Sequence, residues 1–190
     1  MKNFFKISGL SFILFCSVFG GEIQDFDESL YRSIHDGWRC DFAENYFSAV
    51  TYLGRSDFYL STNLALLCFG DDKMKESAKL STASLAASML TAEIFKVVVN
   101  RRRPEGQDVS RWDSSFPSGH TTAAFSMAYV YGAQYPKLRI PLYFFATSVA
   151  LSRIYLGEHY PSDVAAGAAI GTLFGFVVMK NKNFIVEIGL

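Results

Sequence analysis

A chain of 190 residues is long enough for one domain with a real core. Half of it is apolar and 16% is aromatic, yet Lys plus Arg equals Asp plus Glu at 18 each. That balance excludes the basic field of a nucleic-acid binder, and its three cysteines show no metal-site spacing.

The N-terminus reads as a secretory signal over residues 1–20. Lys2 and Lys6 precede an apolar run from Ile7 to Phe19, and Val18-Phe19-Gly20 offers a cleavage point before Gly21. An uncleaved signal anchor is the rival, which so short a run serves poorly. Cleavage leaves 16 basic and 18 acidic side chains on a single domain over 21–190. That domain is expected in the periplasm or otherwise outside the cytoplasm; the alternative is an inner-membrane protein with its site facing outward. Cys40 and Cys68 can pair in such a compartment, but Cys68, inside the apolar run Leu64 to Phe69, reads as a buried free thiol.

From there the chain reads as helices. Asp25 to Trp38 places Phe26, Leu30 and Ile34 at i, i+4 and i+8, the stripe of a surface amphipathic helix. Phe42 to Leu53 and Asp57 to Phe69 follow, stopped near Gly54 and Gly70-Asp71-Asp72. Lys75 to Asn100 is the longest, with small faces for close packing, and Pro104 ends that stretch. Residues 105–116 are polar and form a loop, whose Trp112 and Phe116 shape one side of a pocket. Thr121 to Gln134 and Ile140 to Leu151 make a helical hairpin, and Val164 to Met179 is a last apolar helix.

The hairpin is short. Only 31 residues separate His120 from Ser152, whereas two spanning helices of about 20 residues each and a turn need more. Against this stands Val164 to Met179, uncharged and carrying Gly167-x3-Gly171-x3-Gly175, a spacing that suits membrane helices and tight soluble cores alike. The balance favours a soluble helical domain whose membrane contact is peripheral.

Three strings carry chemistry. In Ser152-Arg153-x5-His159-x3-Asp163, Pro161 suits a first helical turn. Asp163 can then accept a proton from the His159 ring, fixing its tautomer and freeing the other nitrogen as a nucleophile. Arg153 adds a planar fork for phosphate oxygens. Pro117-Ser118-Gly119-His120 opens another helix, whose free N–H groups and dipole make an anion cradle. His120 at its edge is placed as a general acid. Lys96 and Arg103, in Lys96-x6-Arg103-Pro104, are two turns apart and can project from one helix face, with Glu93 able to pair with Lys96. Each string alone also fits an ordinary helix cap or a solvated helix end, and the solvated reading applies to Arg101 and Arg102.

In this order, and complete, the strings resemble the type 2 phosphatidic acid phosphatase (PAP2) family, which includes bacterial class A acid phosphatases and vanadium haloperoxidases. The similarity runs from about Asp27 to Met179. It implies an all-α fold, a compact helical bundle of the PAP2/haloperoxidase type with the site at one end. It implies His159 as a nucleophile that becomes phosphohistidine, Asp163 as its orienter and His120 as the acid. Lys96, Arg103, Ser118, Gly119 and Arg153 are implied as the phosphate clamp, with no metal and no cofactor. The expected activity is hydrolysis of phosphomonoesters or lipid phosphates, on a phosphorylated small molecule or a lipid phosphate. The short hairpin is similar to that of the soluble periplasmic members. The alternative is a membrane-associated lipid phosphatase acting on undecaprenyl diphosphate, phosphatidylglycerol phosphate or lipid A. Vanadate-dependent halide oxidation and a non-catalytic binding module are the remaining classes; the presence of both histidines argues against the second.

Overall fold

The computed structural model describes residues 23–106 and 113–187; the expected signal over 1–20 and Trp112 lie outside them. Every regular element among the described residues is helical. Residues 23–35 form α1. Then come α2 (Asp41–Leu53), α3 (Ser56–Phe69), α4 (Asp72–Val99), α5 (Gly119–Gln134), α6 (Arg139–Tyr155), α7 (Pro161–Lys180) and α8 (Lys182–Glu187). A 3-10 turn at Pro136–Leu138 closes the hairpin between α5 and α6.

Caps set the boundaries. The Asp71 carboxylate accepts from the Met74 amide at 2.8 Å, so α4 starts at Asp72, ahead of the expected Lys75. It stops at Val99, where Asn100 takes a left-handed conformation with φ 49°, which Asn tolerates better than most residues. Arg103 therefore lies beyond the helix, and the expectation that it shares a helical face with Lys96 is corrected. In contrast α6 runs on to Tyr155 and carries Ser152 and Arg153 in its last turns.

The face that α1 buries is also rotated. Asp27, Tyr31, Ile34 and His35 are buried and Phe26 is exposed, because Asp27 is drawn inward to Arg101 and Ser162. Tyr31 and Ile34 then pack with Phe47, Ile154, Tyr155 and Val164.

Helix α5 is the centre of the bundle, and α7 lies on it through glycines. A Cβ at Gly167 would stand 2.6 Å from the Ser118 carbonyl oxygen, and one at Gly171 would run into the Thr122 carbonyl. This backbone-to-backbone approach sets the two N-termini side by side, and the Ser118 amide donates to the Asp163 carbonyl at 3.0 Å. Gly171→Ala should lower stability by at least the ~1–3 kcal/mol typical of overpacking, since backbone has no rotamer to yield. Chemical denaturation of the purified variant checks this; a midpoint equal to wild type would show that the helices separate freely.

Polar side chains are buried beside the apolar core, and large apolar ones face outward. Asn63, Ser77, Ser81, Ser84, Ser88 and Ser126 are buried, while Phe69 is 90% exposed, Ile140 83% and Val98 74%. Ser77 and Ser88 donate to carbonyls of their own helix, Lys73 and Leu85, and the others pair between helices. The Asn63 amide donates to Ser81 and Thr82 and its carbonyl accepts from the Tyr131 hydroxyl, and Ser84 pairs with Ser126 at 2.6 Å. With Asn63 facing inward, Leu64, Cys68 and Phe69 face outward. Cys68 is thus exposed rather than buried, and both Cys40 and Cys68 are free. Helices α4 and α7 are long and apolar enough to cross a bilayer.

Candidate active site

Four helix ends meet at one pole of the bundle: the C-termini of α4 and α6 and the N-termini of α5 and α7. Each end brings its string.

At the start of α5, Pro117 follows Phe116 through a cis peptide bond. Ser118 is the buried N-cap, accepting from the Thr121 hydroxyl at 3.0 Å. A Cβ on Gly119 would fill the space toward the Lys96 ammonium, 3.9 Å away. Lys96, in the last turn of α4, donates to Glu93 at 3.0 Å. The helix start and the ammonium thus face each other across a gap that a side chain at 119 would partly fill.

The turn from α6 to α7 explains the spacing Arg153-x5-His159. Gly157 is left-handed at φ 77°, and the amides of Glu158 and His159 both donate to the Arg153 carbonyl at 3.1 Å. This is a glycine-closed helix end. It sets the Glu158 carboxylate 2.6 Å from Arg103 and 3.5 Å from Arg153. Arg103 also binds Asp113 at 2.6 Å. Arg153 is buried and donates to the Thr51 hydroxyl at 2.6 Å; its Nε is buried with no partner among the described residues. A buried guanidinium N–H of that kind suits an oxyanion.

His159 is buried, with Nδ1 2.7 Å from the Ser115 carbonyl oxygen. A carbonyl only accepts, so Nδ1 carries the proton and the neutral ring keeps its free lone pair on Nε2. The expected direct bond from Asp163 is corrected: its Oδ2 stands 3.8 Å from Nδ1, beyond hydrogen-bond range. Asp163 is occupied by Arg101 at 2.6 Å and by the Tyr160 amide at 2.9 Å. It reaches His159 through space as a countercharge. Burial, aided by Arg153 and Arg103 and opposed by Asp163, holds the His159 imidazole below its ordinary pKa. Burial pushes His120 down to about 3, with Arg153, His159, Arg55 and Lys96 adding to the shift.

All eight expected site residues therefore converge. The strings missed Asp27, Thr51, Ser115 and Glu158, and Arg101 was misread: it is the partner of two buried carboxylates, Asp27 and Asp163, not a solvated helix end. Its place in the only basic run of the sequence was the available signal. Among the described residues no group of three His, Cys, Asp or Glu is arranged to hold a metal ion.

A sequence model described as the PAP2 superfamily matches residues 78–186, a span that includes all three strings. The chain belongs to the PAP2 superfamily. Among curated PAP2 relatives, it is 40% identical over 96 residues to the decaprenylphosphoryl-5-phosphoribose phosphatase of Mycobacterium tuberculosis, covering 46% of this chain and 51% of that protein. It is 31% identical over 101 residues to the lipid A 1-phosphatase of Rhizobium etli, covering 47% and 44%. The chain thus spans about half the length of the curated relatives it matches. The crystal structure of Aquifex aeolicus LpxE superposes with a TM-score of 0.71 at 28% identity, over 82% of this chain and 95% of that one. A transmembrane PAP2-type phosphatidylglycerolphosphate phosphatase from Bacillus subtilis shares the fold with a TM-score of 0.72 at 24% identity, over 93% and 96%. A protein described as transmembrane has this PAP2 fold nearly end to end. Helices α4 and α7 of this chain, each long and apolar enough to cross a bilayer, count against the soluble expectation drawn from the short hairpin.

Proposed function

We propose that this PAP2 chain is a metal-independent phosphatase acting on a lipid phosphate at a membrane surface. The observation that carries this reading is the meeting of Lys96, Arg103 and Arg153 with two histidines at one pole of a bundle that buries polar side chains beside its core and faces large apolar ones outward. The cations, the Ser118 cap and the Gly119 amide hold the phosphate oxygens. Nε2 of His159 attacks phosphorus as the bond to the leaving oxygen breaks, and that oxygen takes the proton carried in on the phosphate monoanion, passed to it by the neutral His120 ring. The resulting phosphohistidine is imidazolium-like, and Asp163 offsets its charge. Water, deprotonated by His120, then attacks phosphorus, releasing phosphate and restoring His159.

The lipid assignment rests on the outward Phe69, Val98, Ile140 and Phe144. Burying polar groups between helices and facing apolar ones outward is the pattern of helices packed in lipid. At 28 residues, α4 is about 42 Å long at ~1.5 Å per residue, enough to cross a ~30 Å hydrocarbon core; α7 is the second such segment. A cavity of about 240 Å³ between α3, α5 and α6, lined by Tyr59, Ala124, Met127, Tyr131 and Leu142 among others, begins one turn from His120 and suits a lipid chain. The names of two curated relatives, a decaprenylphosphoryl-5-phosphoribose phosphatase and a lipid A 1-phosphatase, agree. The basic and then apolar start of the sequence supports a site on the outer side of the membrane.

The test is a substrate panel on the full chain purified in detergent. Phosphatidic acid and a polyprenyl phosphate in mixed micelles should be hydrolysed at least ~10-fold more efficiently than small phosphomonoesters, consistent with remote binding energy being used at the reacting centre. Chelator should leave the rate unchanged and vanadate should inhibit. Activity lost to chelator and restored by a divalent ion would contradict the site; equal rates on soluble esters, with the protein recovered without detergent, would contradict the lipid assignment.

A further inference from the structure

We propose that Asp27 and Arg101 are positioning residues for the reaction, acting on His159 through Asp163 and Ser115. This rests on His159 being the nucleophile. Asp27 sits on α1, outside the residues 78–186 that match the family, and it is fully buried. Its Oδ1 accepts from the Ser162 amide at 2.8 Å, and its Oδ2 accepts from Arg101 at 2.7 Å and from the Ser162 hydroxyl. The second arm of Arg101 donates to Asp163 Oδ1 at 2.6 Å and to Ser162 at 2.7 Å. The guanidinium also lies over the Tyr160 ring, 4.3 Å from its centroid.

Arg101 works through its backbone as well. Its carbonyl accepts from the Ser115 amide at 2.9 Å, and its amide donates to the Ser114 hydroxyl at 2.9 Å. Ser115 is the residue whose carbonyl binds His159 Nδ1. One arginine therefore holds both groups that face Nδ1, the Ser115 carbonyl and the Asp163 carboxylate. A monodentate, bidirectional grip of this kind needs a planar fork, which Lys lacks.

Asp27 decides the charge. Two carboxylates share one guanidinium, so Asp27, Arg101 and Asp163 together carry one negative charge. That charge lies beside the ring that becomes cationic when Nε2 bonds to phosphorus. Without Asp27 the cation of Arg101 falls on Asp163 alone, and the forming imidazolium loses its countercharge. The loss is felt in the transition state and not in substrate binding, so it should appear in kcat.

The experiment uses the full chain in detergent with p-nitrophenyl phosphate, whose nitrophenolate leaves without protonation. Asp27→Asn should lower kcat by about 10-fold or more with KM within 2-fold, and Asp27→Glu should recover part of the loss, as expected for an interaction made in the transition state. Arg101→Lys keeps the charge, loses the fork and should lower kcat likewise; it carries the same test if Asp27→Asn is not recovered folded. Unchanged kcat in either folded variant, or a rise in KM alone, overturns the proposal, as does a lowered melting temperature with normal turnover below it. His159→Ala, run alongside, separates the two levels. Activity surviving there defeats the nucleophile assignment itself; His159→Ala inactive beside a fully active Asp27→Asn defeats only the positioning role.

Discussion

His159→Ala should abolish turnover of every phosphate ester, by a factor on the order of 10⁴ or more, as for other nucleophiles that act as part of a catalytic unit. No labelled phosphoenzyme should be trapped from it with any substrate. The expectation follows from the ring's surroundings. The Ser115 carbonyl holds the proton on Nδ1, and burial keeps the imidazole neutral in the resting site, so Nε2 has a lone pair available at neutral pH. Rapid quenching with radiolabelled substrate checks this. An acid-labile phosphoenzyme in wild type that is absent from His159→Ala is the expected pair of results. A labelled phosphoenzyme in His159→Ala would move the nucleophile to the start of α5.

His120→Ala should divide substrates by their leaving groups. A poor leaving group, such as a lipid alkoxide, should lose roughly 10²–10⁴ in rate, the usual worth of a positioned acid. Nitrophenyl phosphate should still phosphorylate His159 and should accumulate phosphoenzyme, because His120 also serves the water that discharges it. The pH dependence has a definite sign. With its pKa held to about 3, His120 meets substrate as the neutral base over the physiological range. The proton needed by the leaving oxygen then arrives on the phosphate monoanion, whose second ionisation falls near pH ~6. In wild type kcat/KM for a lipid phosphate should therefore fall as pH rises through about 6, while the nitrophenyl ester, which leaves without that proton, should show the limb far more weakly. A flat wild-type profile for the lipid substrate would defeat the monoanion route, and an equal loss on both substrates in His120→Ala would remove His120 from the proton transfer.

The parts of the site that were legible in the sequence are those whose geometry is local. Arg153-x5-His159 is one helix end closed by Gly157, and Pro117 to His120 is one helix start capped by Ser118. Short segments of this kind place their side chains through φ/ψ preferences and capping, which sequence carries directly. The same locality explains the all-α reading, since periodicity and stop signals act within a few turns. The local errors lay at helix ends: α4 starts at Asp72 rather than Lys75, α6 runs past Leu151 to Tyr155, and the segment between Asn100 and Pro104 is not helical. Pro104 marks a place where a helix cannot continue, but the helix had already stopped at Asn100, whose left-handed turn satisfies the Lys96 carbonyl. Arg103 therefore joins the site from the irregular segment beyond the helix.

Other features depended on contacts that no window of sequence contains. The bond from Arg101 to Asp27 spans 74 positions, and the one from His159 to Ser115 spans 44. These bonds turned the first helix about its axis and aim the His159 Nδ1–H at a carbonyl instead of at Asp163. Polarity was decided in the same way. Hydropathy reports that Leu64 to Phe69 is apolar, but not which way it faces. Asn63 finds Ser81, Thr82 and Tyr131 inside the bundle, and that buried network turns Leu64, Cys68 and Phe69 outward. By itself the sequence determined the helices, their caps and the three reactive strings, because those follow from neighbours along the chain. Tertiary structure alone decided which groups share each charge and which faces meet the surroundings, because burial and ion pairing are set by partners brought together only when the chain folds.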